Sequence, residues 1–171
     1  MEAHTFTSAS ASKYLKNLDD QKAHLLAMER DTCTYCLSID EDGEPPAYDY
    51  DTVRNKVDAI DAQALAIRHA LHIHNAKTVL PKCNLTVDEA LIAMAQLTHK
   101  KSRLATLRSN KPKERVNERF FGGSHITEYQ YANYNVEQAE QDYEAVVEAI
   151  SEMQLELDLA NQTKTFEVMF Q

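Results

Sequence analysis

The sequence predicts a mainly α protein of long antiparallel helices, paired as helical hairpins, with a small β-hairpin and assembly into an oligomer. Three observations predict it. Apolar residues recur at steps of four and three over long stretches, glycine is confined to positions 43, 122 and 123, and one segment near Tyr129 switches to a two-residue period. The length of 171 residues and a composition of 43% apolar and 26% charged residues fit one globular domain. The expected layout is a single helical domain, 1–171, with a flexible N-terminus at about 1–10, an acidic proline-containing loop at about 38–50, and a basic Gly-Gly loop and hairpin at about 109–134.

The first helix is expected from Tyr14 to about Tyr35, because Tyr14, Leu15, Leu18, Leu25, Leu26 and Met28 are spaced for one helical face. Gly43, Pro45 and Pro46 among acidic residues then block further helix. The second helix opens at Asp51 or Thr52, either of which can accept backbone N–H bonds as an N-cap. Val53, Val57, Ile60, Ala64, Ile67, Leu71 and His74 then form an unbroken coiled-coil-like stripe, and the helix runs to about Asn75. Thr86 with Glu89 three positions on is a capping box that opens a third helix, on which Ala90, Met94, Leu97, Leu104 and Leu107 keep helical spacing.

Basic residues begin on that helix and run off its end: Lys100, Lys101, Arg103, Arg108, Lys111, Lys113, Arg115 and Arg119. After Gly122 and Gly123, alternation from His125 to Tyr131 with β-branched and aromatic residues predicts a strand, paired with Glu118–Phe121 across the Gly-Gly turn or with a second copy of the chain. Asn135, with Gln138 three positions on, caps the last helix. Its stripe is Val136, Ala139, Tyr143, Val146, Ile150, Met153, Leu157 and Ala160. At 1.5 Å per residue this helix, to about Asn161, would be about 39 Å long, a length that favours association with copies of itself.

Function is narrowed mostly by exclusion. A net charge of −9 argues against long nucleic acid and anionic membranes as partners. No apolar run approaches the ~20 residues of a membrane span, and Met1 to Ser12 lacks a signal-peptide pattern, so a cytoplasmic protein is expected. Glycine at three positions builds neither a Walker loop nor GxGxxG, and no catalytic motif is present, so no enzyme and no cofactor are expected. Cys33, Cys36 and Cys83 read as structural thiols, because Cys33-x-x-Cys36 lacks a second pair. His69 and His72 are spaced to share an ion, yet no acidic or cysteine ligand accompanies them, and His74 sits in the apolar stripe as a core histidine. No metal is assigned.

The basic and aromatic stretch carries the functional expectation. Arg115 and Arg119 can hold phosphate oxygens through paired N–H bonds, Phe120, Phe121, Tyr129 and Tyr131 can stack on a base, and Gly122-Gly123 lets backbone N–H groups approach a ligand. A strip so short fits a small nucleotide-like anion.

Landmarks along the chain also resemble the septicolysin-like family of small helical bacterial and phage proteins. "EDGEPPAYDYDTVRNKVDAI" looks like the family's acidic loop and second helix, "HNAKTVL" matches its Thr-Asn-x-x-Thr-x-Leu at Asn75, Thr78 and Leu80, and "LDLANQ" is similar to its closing Ile-Gln-x-Ala-Asn. Two departures stand out: Met94 and Ala95 replace an Arg-Asp pair, and "FFGGSH" replaces Arg-x-Ser-Arg. The resemblance implies helical hairpins assembled into dimers and hexamers in a bacterial or phage-infected cytoplasm, with Asn75 and Thr78 as polar site positions. The architecture also looks like a phage protein that sequesters the cyclic ADP-ribose signal of Thoeris immunity in pockets between subunits. The function expected is therefore non-enzymatic binding or sequestration of a nucleotide-derived anion, against the alternative of a self-assembling scaffold.

Overall fold

The structure is a computed structural model that describes residues 2–40, 43–115 and 128–170. Among the described residues four helices dominate, accompanied by three two-stranded antiparallel sheets. The chain divides into two compact units, one formed by 1–78 with 159–171 and the other by 79–158.

The first unit opens with strand β1 (Glu2–Thr7) and helix α1 (Ser8–Thr32). Strand β1 lies in place of the flexible start expected at about 1–10, and α1 begins ahead of the Tyr14 expected to open the helix. Thr7 and Ser10 form a reciprocal capping box, in which Thr7 Oγ1 accepts from the Ser10 N–H at 3.1 Å and Ser10 Oγ from the Thr7 N–H at 2.8 Å. The box satisfies the Thr7 and Ser10 N–H groups, and the helix starts six residues before Tyr14, with Ala11 already buried in the core. β1 in turn pairs with β6 (Thr165–Phe170), from Glu2 opposite Phe170 to Thr7 opposite Thr165.

Helix α2 (Tyr50–Lys77) begins at Asp49, which accepts the Asp51 N–H at 3.2 Å; the start expected at Asp51 or Thr52 lies slightly too late. Asp49 can serve because Pro46, the last helix-blocking residue, is already behind it. Helices α1 and α2 form an antiparallel hairpin, bridged at its surface by ion pairs of Lys22 with Asp61 at 2.6 Å and of Arg68 with Asp19 at 3.2 Å. Phe6, Ala11, Leu18, Ala64, Ile67 and Val168 form its core, so the β1–β6 ribbon closes the helical hairpin from one side. The predicted α2 stripe faces inward, with Ala64 and Ile67 buried and its other members half-buried.

The second unit begins with strands β2 (Val79–Leu80) and β3 (Leu85–Thr86), paired antiparallel around a turn in which Asn84 adopts a positive φ of 53° and donates its N–H to Leu80 at 2.9 Å. Asparagine is among the few side-chain-bearing residues that tolerate that region. Helix α3 (Val87–Arg108) starts at the expected box: Thr86 Oγ1 accepts from the Glu89 N–H at 3.2 Å, and the Glu89 carboxylate from the Thr86 N–H at 2.8 Å. Helix α4 (Val136–Thr163) starts at Asn135, whose side-chain oxygen accepts the Gln138 N–H at 3.1 Å. Its predicted stripe is the inward one, since Ala139, Val146, Leu157 and Ala160 are buried and Tyr143, Ile150 and Met153 half-buried. Arg108 pairs with Glu140 at 2.7 Å, which brings the end of α3 to the start of α4.

Candidate hairpin site

Between α3 and α4 the described residues contain strands β4 (Lys113–Arg115) and β5 (Tyr129–Tyr131), paired antiparallel. The strand expected around Tyr129 is present, and among the described residues it pairs with the basic segment Lys113–Arg115; the expected partner Glu118–Phe121 lies outside the described residues. Backbone hydrogen bonding decides this pairing: Ala132 N–H donates to Pro112 at 3.2 Å and carries the ladder beyond the strands.

The base of the hairpin is tied to the end of α3. The Tyr134 hydroxyl donates to the Leu107 carbonyl at 2.6 Å and accepts from the Asn110 side-chain amide at 2.7 Å. A cleft of about 230 Å³ lies there, lined among others by Asn110, Lys111, Glu114, Gln130 and Tyr134. Lys111 and Glu114 pair across 2.8 Å, and that hydrogen bond, followed by the carboxylate's charge, raises the Lys111 pKa.

Register sorts the hairpin's side chains. Lys113 stands opposite Tyr131, Glu114 opposite Gln130, and Arg115 opposite Tyr129. Directly opposed residues share a face and alternate residues return to it. One exposed face therefore carries Lys113, Arg115, Tyr129 and Tyr131, and the other carries Glu114 and Gln130. On the first face the Lys113 ammonium lies 4.1 Å from the Tyr129 ring centre and 5.3 Å from that of Tyr131.

The structure thus brings together three expected site residues, Arg115, Tyr129 and Tyr131. Arg119, Phe120, Phe121 and the Gly122-Gly123 pair lie outside the described residues. Asn75 and Thr78 belong to the first unit and the hairpin to the second, so neither unit by itself assembles the whole expected set. Thr78 caps α2 with its N–H on the His74 carbonyl at 2.9 Å, and its hydroxyl lies 3.3 Å from His74 Nδ1. The Asn75 side-chain oxygen is buried without a hydrogen-bond partner among the described residues.

Lys113 is the residue that sequence reasoning passed over. It stood out only as one of a run of cations. Its signal would have been its alternation with Arg115, which puts both on one strand face once the segment is known to be a strand. His69 and His72 are exposed, and among the described residues no three His, Cys, Asp or Glu side chains converge on a metal-sized site. Among them, too, no helix is long and apolar enough to cross a membrane.

No protein-family model matches the chain, and no curated protein matches it. A solved structure does: the crystal structure of a functionally unknown conserved protein from Corynebacterium diphtheriae is similar with a TM-score of 0.60 at 12% sequence identity, over 97% of this chain and 100% of that one. At that identity the likeness is one of fold alone.

Proposed function

We propose that the protein binds a small nucleotide-derived anion, a cyclic nucleotide or a cyclic ADP-ribose-like molecule, and sequesters it without chemical turnover. The observation that carries this reading is the single hairpin face on which Lys113 and Arg115 stand opposite Tyr131 and Tyr129. A guanidinium offers phosphate a planar fork of N–H donors, and a stacked base–aromatic pair contributes about 1–3 kcal/mol. Glu114 on the reverse face and the net charge of −9 oppose a polyanion but leave room for one compact anion. In the oligomer implied by the septicolysin-like resemblance, a second copy would supply the opposite wall.

Native mass spectrometry with and without a panel of cyclic nucleotides and ADP-ribose derivatives tests the reading. A stoichiometric gain of nucleotide mass is expected, reduced about tenfold or more in affinity by Tyr131→Ala. No gain with any member of the panel would overturn it.

A self-assembling scaffold is a second reading, favoured by Leu155 and Leu159, which lie one turn apart on α4 and are 68% and 63% exposed. Single apolar residues at a surface are ordinary, whereas a stacked pair on one helix suits a partner. Leu155→Glu should then lower the subunit count in native spectra without ligand. A monomer before and after the substitution would remove this reading.

A further inference from the structure

The chain's own cation competes for the tyrosine faces on which a base would stack, because the Lys113 ammonium sits 4.1 Å from the Tyr129 ring centre and 5.3 Å from that of Tyr131. We propose that Lys113 is the specificity-determining gate of this face: its ammonium covers the tyrosine rings until the ligand's own phosphate draws it off and frees a ring for the base. The inference rests on the nucleotide-binding reading above and names what that site selects, a phosphorylated ligand over the neutral nucleoside.

The reasoning is competitive. An ammonium is held over an exposed ring only by the ring's quadrupole, a contact worth about two- to fivefold in an equilibrium. A phosphate oxygen offers the same ammonium a full charge and a hydrogen-bond acceptor, so it wins the competition. The lysine stem is flexible and its three N–H donors rotate freely, which lets the head move from ring to phosphate without moving the strand. Arg115 is the next side chain on the same face, about 6–7 Å along the strand, and is placed to take a second contact with the anion. Glu114, the nearest carboxylate in sequence, faces the other way and is engaged by Lys111 at 2.8 Å.

A neutral nucleoside has to displace the ammonium and offers it nothing in return. A nucleotide relocates it onto its own phosphate, so the anionic and stacking contacts form together. This is a coupling between two contacts of one ligand, and removing the gate should move the two ligand classes in opposite directions.

The test uses the full chain with adenosine and AMP as probes, titrated by calorimetry against the wild type, Lys113→Met and Lys113→Arg. Lys113 is exposed, and unchanged circular dichroism would show that each variant folds. The wild type is expected to prefer AMP by about tenfold or more. Lys113→Met should bind adenosine about two- to fivefold more tightly and AMP more weakly, collapsing the preference, whereas Lys113→Arg should keep it. An unchanged preference in Lys113→Met would overturn the gate and leave nucleotide binding standing. Loss of AMP affinity with no gain for adenosine would also overturn it, reducing Lys113 to a plain phosphate contact. If the wild type binds a cyclic nucleotide of the wider panel but neither probe, the gate fails and the binding reading survives; if it binds nothing, both fail.

Discussion

The carboxylate of Glu156 on α4 accepts the backbone N–H groups of both Lys82, at 2.6 Å, and Cys83, at 3.2 Å. Two consecutive donors of the β2–β3 turn are thus satisfied by one side chain, itself only 6% exposed. The distant carboxylate completes the hydrogen bonding of the turn.

Replacing Glu156 by Ala should therefore lower the melting temperature by about 3–8 °C, since it strands two backbone donors and opens a space beside the turn. Gln, which keeps an acceptor oxygen for one donor, should recover part of the loss. Burial by itself would raise the Glu156 pKa, but the Lys82 and Cys83 backbone bonds, a thiol bond from Cys83 and the Lys82 charge outweigh it and hold the value below the ordinary glutamate range. A carboxylate depressed on folding stabilises above its unfolded pKa, and that contribution fades as pH falls through the folded one. Wild type should lose more stability than Glu156→Gln in acid, a difference measurable by denaturant unfolding at pH 3.5 and pH 7. Equal losses would show that the carboxylate's charge is not what holds the turn.

A histidine should add its own acid sensitivity at higher pH. His74 in α2 lies 4.9 Å from the Phe166 ring, is half-buried, and has its pKa lowered by that burial. The folded state therefore binds a proton less readily than the unfolded chain. This contribution to stability is complete above the unfolded value of about 6.5 and is lost as pH falls through the lower folded value. His74→Phe should flatten the stability profile in the interval just below about pH 6.5. Unfolding curves of both proteins across that interval check it, and parallel profiles would count against the histidine.

How far these features could be seen in the sequence depends on their range. The Thr86–Glu89 box and the α4 stripe from Val136 to Ala160 are local patterns, and both are in place. The β1–β6 ribbon is not local: Thr5 pairs with Glu167 across nearly the whole chain, and nothing near Thr5 announces a partner so far away. The Thr7–Ser10 box was masked for a simpler reason. Serine in place of the more usual Glu or Gln makes the segment look like a polar tail. At the candidate site, composition revealed Arg115, Tyr129 and Tyr131, whereas the role of Lys113 needed the register. Charged residues have weak strand preference, so Lys113–Arg115 gives little sign of pairing with Tyr129–Tyr131.

Arg108 joins the two kinds of information, since it belongs to the basic run yet serves packing. Its guanidinium meets Glu140 at 2.7 Å and lies 3.8 Å over the Tyr143 ring centre, so one side chain makes an ion pair and a ring contact with α4 at once. The ion pair is partly exposed and worth up to about 1 kcal/mol, and the ring contact adds about 0.5–1 kcal/mol. Arg108→Ala should thus destabilise by about 1–2 kcal/mol in urea unfolding. Lysine keeps the charge but cannot lay a flat group on the ring while it reaches the carboxylate, so Arg108→Lys should recover less than half of that. Full recovery by lysine would assign the effect to charge alone. Because Arg108 contacts α4 and not the face formed by Lys113, Arg115, Tyr129 and Tyr131, the same substitution should leave nucleotide affinity within about twofold under conditions where both proteins are folded. A larger loss would extend the binding site from the hairpin onto the end of α3.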